Sequence, residues 1–177
     1  VLEYGAERIM QIVNIGNRVQ VGPGQLPELY GMMKTACTIL DLPPIQLFVE
    51  MTPIPNAYTS GVSRPFVVVT TGLLDLMEPE EIQSVLAHEV GHVLSRHVMY
   101  RIIAENMSAI TTLIGQATLG IGKLLGQGLE LALLEWYRKS EYTADRAALL
   151  VERDPDIIVS VMMKLAGGSS RYTRHMN

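Results

Sequence analysis

His88, Glu89 and His92 form an H-E-x-x-H sequence, two imidazoles one helical turn apart with a carboxylate beside the first. At about 100° per residue, positions four apart lie roughly 40° from each other, so on a helix both rings leave one face. Two such rings can hold one tetrahedral zinc ion, and Glu89 can serve as general base toward a metal-activated water. Catalytic zinc takes three protein ligands and keeps one position open. With four histidines and the single Cys37, the third ligand must be a histidine or a carboxylate. The metzincin continuation would need glycine at 95 and histidine at 98, where this chain has Ser95 and Val98. His97 is one residue short of register: at about 100° per residue it points about 180° from His88, on the wrong face for a ligand, which leaves it a capping, hydrogen-bonding or surface role. Glu141 and Asp145, four apart on a later helical stretch, supply the alternative. Glu141 can coordinate the metal, and Asp145 can accept the outer ring N–H of a ligand histidine and so fix its tautomer.

The motif needs a helix, and its flanks predict one over 79–101. Pro79 suits the first helical position, and Glu80 and Glu81 place negative charge at the positive end of the helix dipole. Ile82, Val85, Leu86, Val90, Val93 and Leu94 form the apolar stripe. Amphipathic helices are also predicted over 1–19, 27–40 and 131–152, and from Asp154-Pro155 to the glycines at 167–168. Alanines at 144, 147 and 148 suit close packing of the Glu141 helix on another. Three strands are predicted, at 45–51, 56–62 and 65–71. Pro53 and Pro55 mark the second as an edge strand, since proline cannot donate to an inner ladder. The fold class is therefore α+β, mostly helical, with a small sheet.

A chain of 177 residues is long enough for one domain with a real core. A net charge of −4 and a pI near 5.6 argue against nucleic acid as a partner. Cys37 lies in an apolar-periodic stretch and reads as a buried thiol. The mean hydropathy of +0.22 is high, and its excess sits in residues 102–134. That stretch carries too many polar residues and glycines for a spanning helix. It reads as a mobile apolar excursion open to contact with a membrane, a partner or the substrate cleft. The chain begins at Val1 without a signal-like segment and is expected to be part of a longer protein, cytoplasmic or peripheral to a membrane.

Over roughly residues 45–152 the sequence resembles the gluzincin zinc endopeptidases of the HtpX-like and CAAX-prenyl-protease-like group. The resemblance rests on Thr70-Thr71-Gly72-Leu73-Leu74, Glu80-Glu81, the run from Val85 to Val93, Arg96-His97, and the segment from Arg138 to Asp145. It implies a zincin-like metalloprotease domain over 1–177 with one zinc ion per chain. His88, His92 and Glu141 would be its ligands, Glu89 the base and Asp145 the outer partner. It further implies that Asn56, Ala57, Tyr58 and Thr59 form an edge strand onto which an extended peptide adds by main-chain hydrogen bonds. A late histidine or arginine, His175 or Arg174, would help stabilise the oxyanion. Members of that group have several long apolar spans and this chain has none that convinces, so membrane insertion is not carried over.

The expected function is zinc-dependent hydrolysis of peptide bonds in extended or misfolded proteins. Tyr58, Tyr142 or the tail remain open as holders of the oxyanion. The rival readings are a non-cleaving, zinc-bound peptide-binding or chaperone-like module, and a latent enzyme covered by 102–134 or the tail. Oligomeric state is open.

Overall fold

A computed structural model describes residues 18–99 and 121–167. The elements run β1 (Arg18–Gln20), α1 (Pro27–Ile39), β2 (Gln46–Glu50), β3 (Ala57–Ser60), β4 (Phe66–Thr70), α2 (Thr71–Leu76), α3 (Pro79–Leu94), α4 (Ile121–Glu152) and α5 (Pro155–Gly167). The class is α+β, as expected.

The four strands make one mixed sheet in the order β1-β2-β4-β3. β2 and β4 are parallel, and both outer pairs are antiparallel. The chain reaches this arrangement by carrying β3 past the place of β4 to the sheet edge and returning through a hairpin. Gly61 makes that return possible: its φ is +85°, and a Cβ there would run into the Arg64 carbonyl. The proline-marked strand is thus an edge strand, somewhat shorter than the predicted 56–62.

The predicted helix over 1–19 is corrected at its end. Arg18 and Val19 belong to β1, where Arg18 pairs with Glu50 and Val19 with Val49. Ladder bonds to a strand about thirty residues away, with an Arg18–Glu50 ion pair at 2.8 Å, override the local helical spacing. The remainder of that prediction lies outside the described residues. So does the excursion as far as residue 120; from Ile121 onward the chain is helical, ten residues earlier than expected. No described helix is long and apolar enough to cross a membrane.

Two apolar clusters flank the sheet. Leu47, Val49, Val67 and Val69 face the helices and pack with Met33, Ala36 and Cys37 of α1 and with Val85, Leu86 and Val90 of α3. The opposite face holds Phe48, Phe66 and Val68, with Tyr58 against them and the two phenyl rings edge-to-face at 5.8 Å. Cys37 is buried and burial pushes its thiol pKa up, so it is a core residue, as read from the sequence.

The segment from Thr70 to Gly72 ties sheet, edge strand and helix together. The Thr70 side chain accepts from the Leu73 N–H as the N-cap of α2 and also contacts the backbone of Ile54 and Asn56. The Thr71 hydroxyl donates to the Thr52 carbonyl at 2.9 Å. Gly72 donates its N–H to the same carbonyl, and a Cβ on it would strike the Pro53 carbonyl. The loop that delivers β3 is therefore clamped onto the turn that leads to α3.

Candidate metal centre

α3 begins after Glu78 with Pro79 at its first turn. Glu81 takes three donors. Its Oε2 accepts from the Glu78 N–H at 2.7 Å and from Lys164 Nζ at 2.5 Å, and its Oε1 accepts from Ser160 Oγ at 2.6 Å. Burial alone would raise the Glu81 pKa; these donors outweigh it and hold the carboxyl below its usual range. Read from the sequence as a dipole charge, Glu81 is in fact the buried anchor between α3 and α5.

The other face of α3 meets α4 through small residues. A Cβ on Gly91 would sit 2.7 Å from Ala147 Cβ and 3.0 Å from Ala144 Cα. Glycine on one helix and alanines on the other let the two backbones approach closely enough for side chains of both to share an atom-sized site. The alanines read as a packing face do serve as one.

At that seam three donor atoms converge. His88 Nε2 and His92 Nε2 are 3.1 Å apart, and Glu141 Oε2 lies 3.4 Å from the first and 3.8 Å from the second. Ligands about 2.0–2.1 Å from a tetrahedral zinc stand roughly 3.3–3.4 Å from one another, so the spacing fits such an ion. The donor set fits as well. The outer nitrogen of His88, Nδ1, is 3.0 Å from Asp145 Oδ1; donating its proton there leaves Nε2 with a lone pair toward the centre. Among the described residues this is the one group that could hold a metal ion. Burial disfavours charge on His88, but hydrogen bonds to Asp145 and Glu141 and the nearby Glu89 outweigh it and push the pKa up to about 9. The hydrogen bond with His88 holds Glu141 below the usual carboxylate range.

His97 is where the sequence argument fails in its premise. α3 ends at Leu94, and Arg96 adopts a left-handed conformation, φ +54°. That turn breaks the helix, so His97 is not displaced around a continuous one. Its Nδ1 lies 2.9 Å from His92 Nδ1, and Trp136 of α4 packs edge-on against its ring. A metal ion held by His92 Nε2 would leave the ring proton on His92 Nδ1, where His97 Nδ1 would accept its hydrogen bond. Burial lowers the His97 pKa, which favours the neutral ring that can accept. The expected hydrogen-bonding role holds, reached by a different path.

β3 lies over this centre. A cleft of about 170 Å³ is lined by Ala57, Tyr58 and Thr59, by His88, Glu89, His92 and His97, and by Tyr137, Ser140 and Glu141 of α4. A second, more apolar cavity of about 350 Å³ meets His88, Glu89 and Glu141 from the Asn56 side, walled by Leu73, Val85, Ala148, Ile158 and Val161. Tyr58 and Thr59 point to opposite faces of the sheet. The Tyr58 hydroxyl is 2.5 Å from an Arg18 terminal nitrogen and 3.2 Å from Glu50 Oε2, away from the metal position. Tyr142 is exposed on α4. Arg174 and His175 lie outside the described residues. Sequence spacing had read Tyr137 only as part of the helical stripe and had not singled out Ser140 or Trp136; no short motif marks them.

An H-E-x-x-H helix completed by a glutamate from a second helix, beneath an edge strand, defines the gluzincin class of metallopeptidase. Residues 27–175 match peptidase family M48, and the chain belongs to that family. It is 42% identical over 173 residues to the plastoglobule-localized metallopeptidase 48, chloroplastic, of Arabidopsis thaliana, covering 97% of this chain and 49% of that protein. It is 32% identical over 173 residues to protease HtpX homolog 2 of Methanosarcina mazei, covering 85% and 59%. A protease HtpX homolog of Moorella thermoacetica is 27% identical over 176 residues, covering 86% and 59%. The chain spans about half the length of these curated relatives. No solved structure matches it.

Proposed function

We propose that this domain is a zinc-dependent endopeptidase that cleaves extended segments of protein substrates. The observation that carries the reading is the convergence of His88, His92 and Glu141 donor atoms beneath the β3 edge, with Glu89 in the same cleft. One zinc ion would be held by those three residues, and when bound it supplies Lewis acidity toward the scissile carbonyl and toward water. Asp145 and His97 hold the outer nitrogens of the two histidines. The outer main-chain groups of β3 pair with the substrate backbone and fix its height over the site. Glu89 accepts the proton of the attacking water and delivers it to the leaving amine. An antiparallel peptide on β3 would run from the polar cleft at Thr59 toward the apolar cavity beside Asn56, which suits a large apolar side chain.

The test is turnover of unfolded casein by the protein carrying this chain, with zinc content measured alongside. Cleavage should stop with a chelator and return with zinc. Glu89→Gln should keep one zinc per chain and lose hydrolysis; full activity in that variant would sink the assignment of the base. The membrane contact expected over 102–134 belongs to the same reading. Leu131 and Leu134 of that stretch are exposed, and the relative at 42% identity is named for the plastoglobule. Co-flotation with liposomes, lost when both leucines become serine, tests it.

A further inference from the structure

Thr59 is only 2% exposed although it belongs to the edge strand. Strand alternation sends Tyr58 to the Phe48 and Phe66 face and Thr59 toward α3. Its Oγ1 lies 2.7 Å from Glu89 Oε2 and 3.0 Å from the Glu89 main-chain carbonyl. A hydroxyl has one hydrogen to give, and a charged carboxylate oxygen is the stronger acceptor, so the proton points to Oε2.

We propose that Thr59 is a positioning residue for the general base: its hydroxyl fixes one oxygen of Glu89 so that the carboxylate presents the other to the attacking water. The inference rests on the peptidase reading above. Glutamate is a flexible side chain whose terminal torsion is broad, so without a partner its carboxylate samples many orientations. Threonine is β-branched and stiff at χ1, so the strand backbone itself sets the hydroxyl direction. β3 therefore does two things at once. Its main chain faces the substrate and its inward side chain holds the base. A peptide that pairs with β3 steadies the strand and, through Thr59, the carboxylate that acts on it.

The test is a pair of substitutions in the full protein. Thr59→Val keeps the shape and strand preference and removes the hydroxyl. Its zinc content should stay at one per chain, its kcat should fall about ten- to a hundredfold, the range of a lost hydrogen bond to a charged group, and its KM should change less than about twofold. Thr59→Ser restores the hydroxyl but not the stiffness, and should recover most of that loss. Thr59→Ala is a second hydroxyl-free variant should Thr59→Val not fold. A readout independent of turnover is the Glu89 carboxylate stretch in isotope-edited infrared spectra, assigned by its disappearance in Glu89→Gln. The band should shift in Thr59→Val and not in Thr59→Ser. Absence of cleavage by the wild type would defeat the peptidase reading, and the infrared band would still judge Thr59. Wild-type kcat in Thr59→Val, or an unmoved band in that variant, overturns the proposal.

Discussion

The two helices that bring His88, His92 and Glu141 together are held in opposite ways. α3 is buried on nearly every side: Leu86, Ala87 and Val90 have no exposed surface, and Glu81 pins its first turn to α5. α4 buries a narrow strip, chiefly Ser140, Ala144, Ala147, Ala148 and Val151, and leaves Leu131, Leu134, Leu149 and Leu150 exposed. His88, Glu89 and His92 thus come from the core, whereas Glu141, its side chain 39% exposed, comes from a helix docked through small residues. Small-residue contacts release little apolar area, roughly 25 cal/mol per Å², but they set distance sharply. The centre is precise on its α3 side through burial and on its α4 side through the glycine–alanine seam.

Five substitutions would break or sharpen that contrast. The largest effect is expected from Lys164→Met, which leaves Glu81 buried without its charged partner. Breaking such a pair costs about 3–5 kcal/mol. At about 2–4 °C per kcal/mol, thermal unfolding should fall by roughly 6–20 °C, read by calorimetry. The pH dependence has a definite sign. Because the folded-state pKa of Glu81 lies below its ordinary 4.5, its contribution is present above that pH and is lost as pH falls through the folded value. The acid limb of stability against pH should flatten in Lys164→Met, whose Glu81 pKa is no longer held down by the ammonium.

Gly91→Ala comes next and attacks the seam itself. The new Cβ must displace α4, at about 1–3 kcal/mol for overpacking, and zinc affinity should fall with stability. Adding Ala147→Gly should recover only part, because Ala144 Cα still lies 3.0 Å from the new atom. Full recovery would place the strain in the single methyl contact. Asp145→Ala, on the α4 side, should lower zinc affinity about 10- to 100-fold with little change in melting, measured by competition with a zinc chelator. His97→Ala should cost about tenfold or less, since a neutral ring is a weaker acceptor than a carboxylate. The reverse order would mean that the turn after α3, and not α4, dominates the tuning of the ligands.

Much of this was legible in the sequence. The H-E-x-x-H turn, the Glu141–Asp145 pair and the alanines at 144, 147 and 148 are local regularities of helices, and a helix preserves them. The proline-flanked edge strand was legible because proline states what its backbone cannot do. The failures share a cause. Arg18 and Val19 looked helical by spacing but pair with Glu50 and Val49. His97 was placed by extrapolating a helix that ends at Leu94, and no periodicity announces the left-handed Arg96.

The sequence by itself determined which side chains could meet within one helix, and with them the candidate metal ligands. Tertiary structure brought atoms of different elements together: Glu141, which the sequence offered as third ligand, against the two histidines, and, with no spacing to announce them, His97 against His92, Lys164 on Glu81 and Thr59 on Glu89. Helix and strand geometry repeats every few residues and can be read from spacing. Contacts between elements depend on backbone approach at Gly91 and Gly72 and on one left-handed turn, which no local period encodes.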